Sequence, residues 1–360
     1  MTAATTMGAR RSRRLELSSG TIFLIGILIP IAVFVVYQLV TAPAIFFQTL
    51  MKSFGLGSTY AILALGFVLI FKGTQVVNFA QGALGVAGAL FLSFAIADGH
   101  IPLTTISNPF AEIDTQWVAW GCSVVMALFF AALLGLLIER IVIRPMIGKP
   151  IFAVAIITLG LEIILRTLNN DTSESKFRSL EIPWGTGGFV VGGKEIAWSY
   201  IAAMITAAGC FVAVAVFYRT RTGISMRAVA QDQEASMAQG INVGRVFAIA
   251  WAAGAVLAAI GGIFGTQPPV KQTGAVDPET ANIAFRALPA VVLGGLDSAT
   301  GALVGGLIIG SAEIFAGQYL AQWQNTLGPG YPLIVPYIVM LIGLIVRPYG
   351  LFGTPEIRRV

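Results

Sequence analysis

Charge is scarce in this chain. Asp, Glu, Lys and Arg make up 11% of its 360 residues, against roughly a quarter in a soluble domain. With 56% hydrophobic residues and a mean hydropathy of +0.84, too little polar surface exists to cover the fold, so lipid must be part of its solvent. Histidine occurs once, as His100, and cysteine twice, as Cys122 and Cys210, both inside apolar runs. Such cysteines read as small packed hydrophobes rather than a disulfide or metal site, and neither metal nor cofactor is expected. The chain has no G-x-x-x-x-G-K-[ST] loop to cradle ATP phosphates, and no H-E-x-x-H or G-x-S-x-G, so it does not read as an enzyme. Segments of alternating polarity are also missing, which argues against a barrel. The isoelectric point of 9.4 does not point to nucleic acid, because the basic residues flank apolar spans instead of forming one patch.

Long apolar runs are abundant. Residues 21–37, 117–138, 199–217 and 246–265 are nearly uncharged and close to the ~20 residues that a helix needs to cross the hydrocarbon. Inside lipid such runs must be helical, since every peptide N–H and C=O needs a partner. The chain is expected to be an all-α, polytopic transmembrane bundle of about 8–10 spans, at 20–40, 54–71, 76–97, 117–138, 151–168, 198–218, 246–266, 284–295, 299–317 and 332–346. The run at 284–295 is too short to cross alone and reads as broken or re-entrant; 41–53 reads as a piece lying in the interface. Arg10, Arg11, Arg13 and Arg14 precede the first run, and Ala42-Pro43-Ala44 resembles a signal-peptidase site. The run from Thr21 to Val40 exceeds a signal-peptide core, so an uncleaved span is expected.

Placing the N-terminus in the cytoplasm puts fifteen of the 22 Lys and Arg on the inner side and seven on the outer, the bias of a protein with both termini inside. The expected organisation is a cytoplasmic tail at 1–19, a transmembrane domain at 20–347 and a cytoplasmic tail at 348–360. The inner loop 219–245 is the most polar and offers a docking surface. No soluble domain, linker or low-complexity tract is visible.

Four features carry the chemistry. In the polar break 72–82, the amides of Asn78 and Gln81, followed by Gly82, must find hydrogen-bond partners if buried; they read either as a broken helix end lining a path or as a capped turn at the inner surface. The stretch Val292-Leu293-Gly294-Gly295-Leu296-Asp297-Ser298 precedes the GxxxG pairs Gly301/Gly305 and Gly306/Gly310. It reads as close helix packing or as a hinge, with Asp297 or Ser298 capping the next helix; Gly261/Gly265 is a further packing pair. Glu162 and Glu313 fall within spans, where a charge needs a partner or water. Arg166, four residues on, can pair with Glu162, and Glu313 lies close enough to an outer helix end to snorkel. The last feature is the segment Gly223–Gly240, a short helix stopped by Gly240, with Met226, Val229, Ala230, Gln233 and Met237 near one face and Arg227, Asp232 and Glu234 elsewhere. Such a helix cannot be stable alone and needs a docking surface.

The spacing Glu234-Ala235-Ser236, three residues, then Gly240 resembles the EAA---G loop of ABC-importer permeases. The wider pattern, from about Gly57 to Gly310, resembles the LivH-type permeases for branched-chain amino acids. It is carried by Ala61-to-Gly66 leading into Val77–Gly82, by Glu139-Arg140 with Arg144-Pro145, by Gly223–Gly240 continuing into Ile241-Asn242-Val243, and by Ala290–Gly295 with Gly301-Ala302. Ser236 replaces the second Ala of the motif, and its hydrophobic-Pro ending is missing after Gly240, which argues against the maltose-type permeases. The resemblance implies a subunit translocating branched-chain or related amino acids across the cytoplasmic membrane. Its partners would be a second permease, two ATP-binding subunits and an extracytoplasmic solute-binding protein. Arg227, Asp232, Glu234, Ala235 and Gly240 would meet the ATPase, and Asn78, Gln81, Gly82, Gly294, Gly295 and Asp297 would belong to the path. Urea or short amides are alternative solutes. An ion-coupled carrier using Glu162 or Glu313 is the alternative of another class.

Overall fold

The computed structural model describes residues 19–354, apart from 103, 111–112 and 175. The tails, with Arg10, Arg11, Arg13, Arg14, Arg358 and Arg359, lie outside the described residues. The chain divides into residues 1–46 and 47–360. The described part of the first unit is α1 (Ser19–Thr41), with Pro30 inside it, and the start of α2 (Pro43–Thr74). No boundary appears near residue 53: α2 runs 32 residues without a break, so the expected separate piece at 41–53 is continuous with the second span. Pro43 sits at its first position, where a missing N–H costs nothing, and no further proline interrupts the helix.

The second unit continues with α3 (Gln81–Ile96), α4 (Gln116–Ile138), α5 (Ile151–Thr172), α6 (Trp198–Phe217), α7 (Arg221–Gln231), α8 (Gln233–Ala238), α9 (Val243–Gly265), α10 (Asn282–Gly294), α11 (Ala299–Tyr319), α12 (Gln324–Leu327) and α13 (Tyr331–Val346). Among the described residues six helices are long and apolar enough to cross a membrane, or seven if the pair around the 88° bend at 328–330 forms one span. The protein is an all-α, polytopic membrane protein. Exposed Phe129, Leu133, Ile156, Ile163, Ile205 and Val212 lie along α4, α5 and α6, where lipid rather than water suits them.

Small β elements were not foreseen from sequence. β1 (Arg178–Ser179) pairs antiparallel with β4 (Ala275–Val276), and β2 (Gly188–Val191) with β3 (Lys194–Ala197). The tight turn of the β2–β3 hairpin holds Gly192 and Gly193 at φ +58° and +77°, the left-handed pair that glycine supplies.

Packing in the bundle rests on backbone contact. A Cβ on Gly85 would lie 2.9 Å from the Ala258 carbonyl, and one on Gly262 would overlap the backbone of Gly85. On α11 the two glycine pairs serve opposite faces: Gly301 and Gly305 meet the Gly294 and Ala290 carbonyls of α10, whereas Gly306 and Gly310 meet Gly57 and Ala61 of α2. The close-packing reading of these motifs therefore holds.

Candidate functional site

Within the bundle, α3 and α10 are both too short to span alone. α10 has 13 residues, roughly 20 Å of helix against a ~30 Å hydrocarbon layer. α3 starts at Gln81 rather than at 76. Val76 and Val77 look like the start of a span, but Gln75 adopts φ +59° and the backbone stays irregular to Ala80. Asn78 Oδ1 accepts from Ala80 N at 3.1 Å, Asn78 Nδ2 donates to Gln81 Oε1 at 3.1 Å, and Gln81 Nε2 donates to the Gly254 carbonyl at 3.4 Å. Gly254 lies eleven residues into α9, so α3 begins roughly 17 Å along that helix. The break thus sits inside the bundle and is not a turn at its surface. Irregular backbone at this depth needs protein cover: Thr158 supplies it, accepting from Phe79 N and donating within reach of the Val77 carbonyl, both at 3.3 Å. Asn78 and Gln81 are fully buried, and their amides hold each other. A Cβ on Gly82 would overlap the Ala281 carbonyl, so the first turn of α3 abuts the residue before α10.

The turn between α10 and α11 is a latch. Ser298, not Asp297, caps α11, accepting from Gly301 N at 3.0 Å. The Asp297 carboxylate instead accepts from Thr354 N at 3.3 Å and from the Thr354 hydroxyl. Its carbonyl accepts from Lys72 Nζ at 2.9 Å, and that ammonium lies 4.7 Å from the Tyr218 ring centroid. Gly295, at φ +106°, and Gly294 leave no room for a Cβ beside Gly353 and Gly301 respectively. Nearby, the buried Glu139 receives a bidentate pair from Arg144, with both bonds at 3.0 Å, and Arg144 also donates to the Gly244 carbonyl at 3.1 Å. A π turn at Glu139–Ile143 shifts the helix phase so that these residues, five apart, can meet.

The segment after α6 forms two helices where one was expected. Thr220 caps α7, accepting from Gly223 N at 3.2 Å. Asp232 then leaves the helix at φ −158° and caps α8, accepting from Ala235 N at 2.9 Å. Gly240, at φ +80°, closes α8: Gly240 N bonds the Met237 carbonyl and Ile241 N the Ser236 carbonyl, the pairing of a Schellman stop. The break changes the expected apolar face. Met226 and Val229 are fully buried, Met226 beside Gly73 of α2, but Met237 is 48% exposed and Ser236 takes the buried position. Arg227, Asp232, Glu234, Ala235 and Gly240 are all exposed. A recess of about 320 Å³, lined in part by Thr74, Lys149 and Gln233, lies beside α8.

Glu162 pairs with Arg166 as expected, Nε donating at 2.8 Å, and Arg166 also donates to Asn282 Oδ1 at 3.1 and 3.2 Å. Glu313 does not snorkel. It is 5% exposed, accepts from Tyr60 OH at 2.6 Å and forms an ion pair with Arg286. A partner 27 residues away, on α10, was not visible in the spacing, and pairing in the interior is cheaper for a membrane carboxylate than an unpaired charge.

Residues 49–344 match the family described as branched-chain amino acid transport system, permease component. The chain belongs to this permease family. The permease is 30% identical over 322 residues to the high-affinity branched-chain amino acid transport system permease proteins LivH of Salmonella typhimurium and of Escherichia coli, covering 88% of its own length and 98% of theirs. It is 28% identical over 325 residues to the corresponding protein BraD of Pseudomonas aeruginosa, with the same two shares. No solved structure gives a significant match. The matched region takes in α3, α10 and the α7–α8 element, whereas α1 lies outside it.

Proposed function

We propose that the permease is the membrane subunit of an ABC importer for branched-chain amino acids, moved by separate ATP-binding subunits that grip α7–α8 on the cytoplasmic face. The carrying observation is the form of that element. It is capped at each start by Thr220 and Asp232, stopped by Gly240 and seated on the bundle by Met226 and Val229. Arg227, Glu234 and the apolar Ile224 and Met237 remain exposed. A short helix presenting charged and apolar side chains together suits a groove on a soluble partner.

In this reading both termini are cytoplasmic, a second permease completes the path, and a solute-binding protein delivers from outside. The partner ATPases close on ATP and pull α7–α8; only their differential affinity for ATP in the two conformations can drive the cycle. Met226 against Gly73 carries the displacement to the end of α2. From there it reaches the break held by Asn78, Gln81 and Gly82, and, through Lys72, the latch of Gly294, Gly295 and Asp297. The ion-coupled alternative is weakened because Glu162 and Glu313 each already face an arginine.

Glu234→Lys tests the reading. It is expected to leave membrane insertion intact and to uncouple ATP hydrolysis from leucine uptake in the assembled transporter. Uptake equal to wild type would remove the coupling role. Uptake by the single chain without any ATPase, collapsing with the ion gradient, would favour the carrier.

A further inference from the structure

We infer that residues 347–354 form a strap that locks the inner end of α10 in the resting permease and releases it in each transport cycle. This rests on the reading above, in which α7–α8 receives the pull. The last carbonyls of a helix have no partner within it. On α10 two of them are met by the segment that follows α13. Leu351 N donates to the Leu293 carbonyl at 2.8 Å, and Phe352 N to the Gly294 carbonyl at 3.0 Å. The backbones lie so close that a Cβ on Gly350 would come within 2.7 Å of Gly295 N, and one on Gly295 within 2.5 Å of Gly353 N. Past the helix end Asp297 fastens the strap, its carboxylate accepting from both the amide and the hydroxyl of Thr354.

The two ends of α10 are gripped differently, and the difference decides which one yields. Near its start Arg286 pairs with the buried Glu313, which also accepts from Tyr60 of α2. Parting those groups would leave unpaired charge inside the bundle, at heavy cost. At the other end Thr354 is exposed and Asp297 half-buried. In the proposed orientation cytoplasmic water replaces each hydrogen bond that opens there, so release costs little. Apolar anchorage of the strap is slight: Leu351 is partly buried, whereas Tyr349 and Phe352 are exposed. The strap also connects to the element that is pulled. Lys72 Nζ, at the end of α2, donates to the Asp297 carbonyl, and Arg227 of α7 is close enough to repel that ammonium. Displacement of α7 changes the field on Lys72, and Lys72 holds the residue that fastens the strap. The inner end of α10 then swings free while Arg286 serves as its pivot.

The test uses the full chain assembled with its ATP-binding subunits in membrane vesicles, with leucine as the transported probe. ATP hydrolysis and thermal unfolding are read on the same preparations. With Cys122 and Cys210 replaced by Ser, the pair Asp297→Cys and Thr354→Cys is joined by a short bifunctional thiol reagent that reduction removes. Joining should abolish leucine uptake and lower ATP hydrolysis about fivefold, because the locked state can no longer be left, and reduction should restore both. A strap that only props the fold would let the joined protein work as before. Thr354→Pro removes the N–H and the hydroxyl together. It is expected to raise solute-independent ATP hydrolysis about fivefold, since losing hydrogen bonds to a charged group favours the released state, with the unfolding temperature unchanged. Thr354→Ser keeps both donors and should stay within about twofold of wild type. Failure of the pair to join, undiminished uptake and hydrolysis once it is joined, wild-type hydrolysis by Thr354→Pro, or an equal rise in Thr354→Ser would each overturn the strap and leave the transporter reading standing. Absence of leucine uptake by the wild-type assembly would overturn that reading, and the role of the strap with it.

Discussion

The α3–α9 contact and the α7–α8 element are held in opposite ways. Between α3 and α9 the backbones themselves touch, through Gly85 against Ala258 and Gly262, and through Gly88 against Ala259. At these contacts no flexible side chain intervenes, so displacement of one helix must carry the other. The α7–α8 element is anchored by two buried apolar side chains and a set of caps, and its charged residues are exposed. An element seated by a few side chains can be pulled by a partner. A glycine interlock can pass that pull on without absorbing it, because packed interiors yield little. In this account the difference separates the part that receives force from the part that transmits it.

Gly262→Val is the strongest way to break the comparison. Its new side chain would meet the Gly85 backbone, which cannot rotate away. A loss of about 3 kcal/mol or more is expected, read as a collapse in the yield and unfolding temperature of the purified protein. Wild-type stability would mean that the interlock is looser than the geometry implies. Met226→Ala sharpens the other side. Met226 is fully buried, and truncation there is expected to cost about 2 kcal/mol locally. Amides of residues 221–238 should then exchange with solvent faster while those of α3 and α9 stay protected. Equal acceleration in both regions would show that the two do not behave as separate elements.

The spans were legible because hydropathy and length constrain them independently, and the small-residue motifs on α11 because close approach needs them at fixed spacing. What stayed hidden depended on local backbone geometry or on long sequence separation. Val76-Val77 carries the hydropathy of a helix, yet Gln75 and Asn78 turn the chain for five more residues. Asp232 has the composition of a helical position, and only its φ reveals that it ends one helix and caps the next. That break sent Met237 outward, against the face expected from a single continuous helix. The pairing of Glu313 with Arg286 and Tyr60, and that of Arg166 with Asn282, join segments far apart in sequence. The nearest visible signal was Arg166 four residues after Glu162.

The most direct test of where force enters the permease is a cross-link from α8. With Cys122 and Cys210 replaced by Ser, a Glu234→Cys variant assembled with its ATP-binding subunits should cross-link to one of them, and the yield should change when ATP is added. Labelling of that cysteine by an impermeant thiol reagent added only from outside the cell, with no cross-link to an ATPase, would contradict the account.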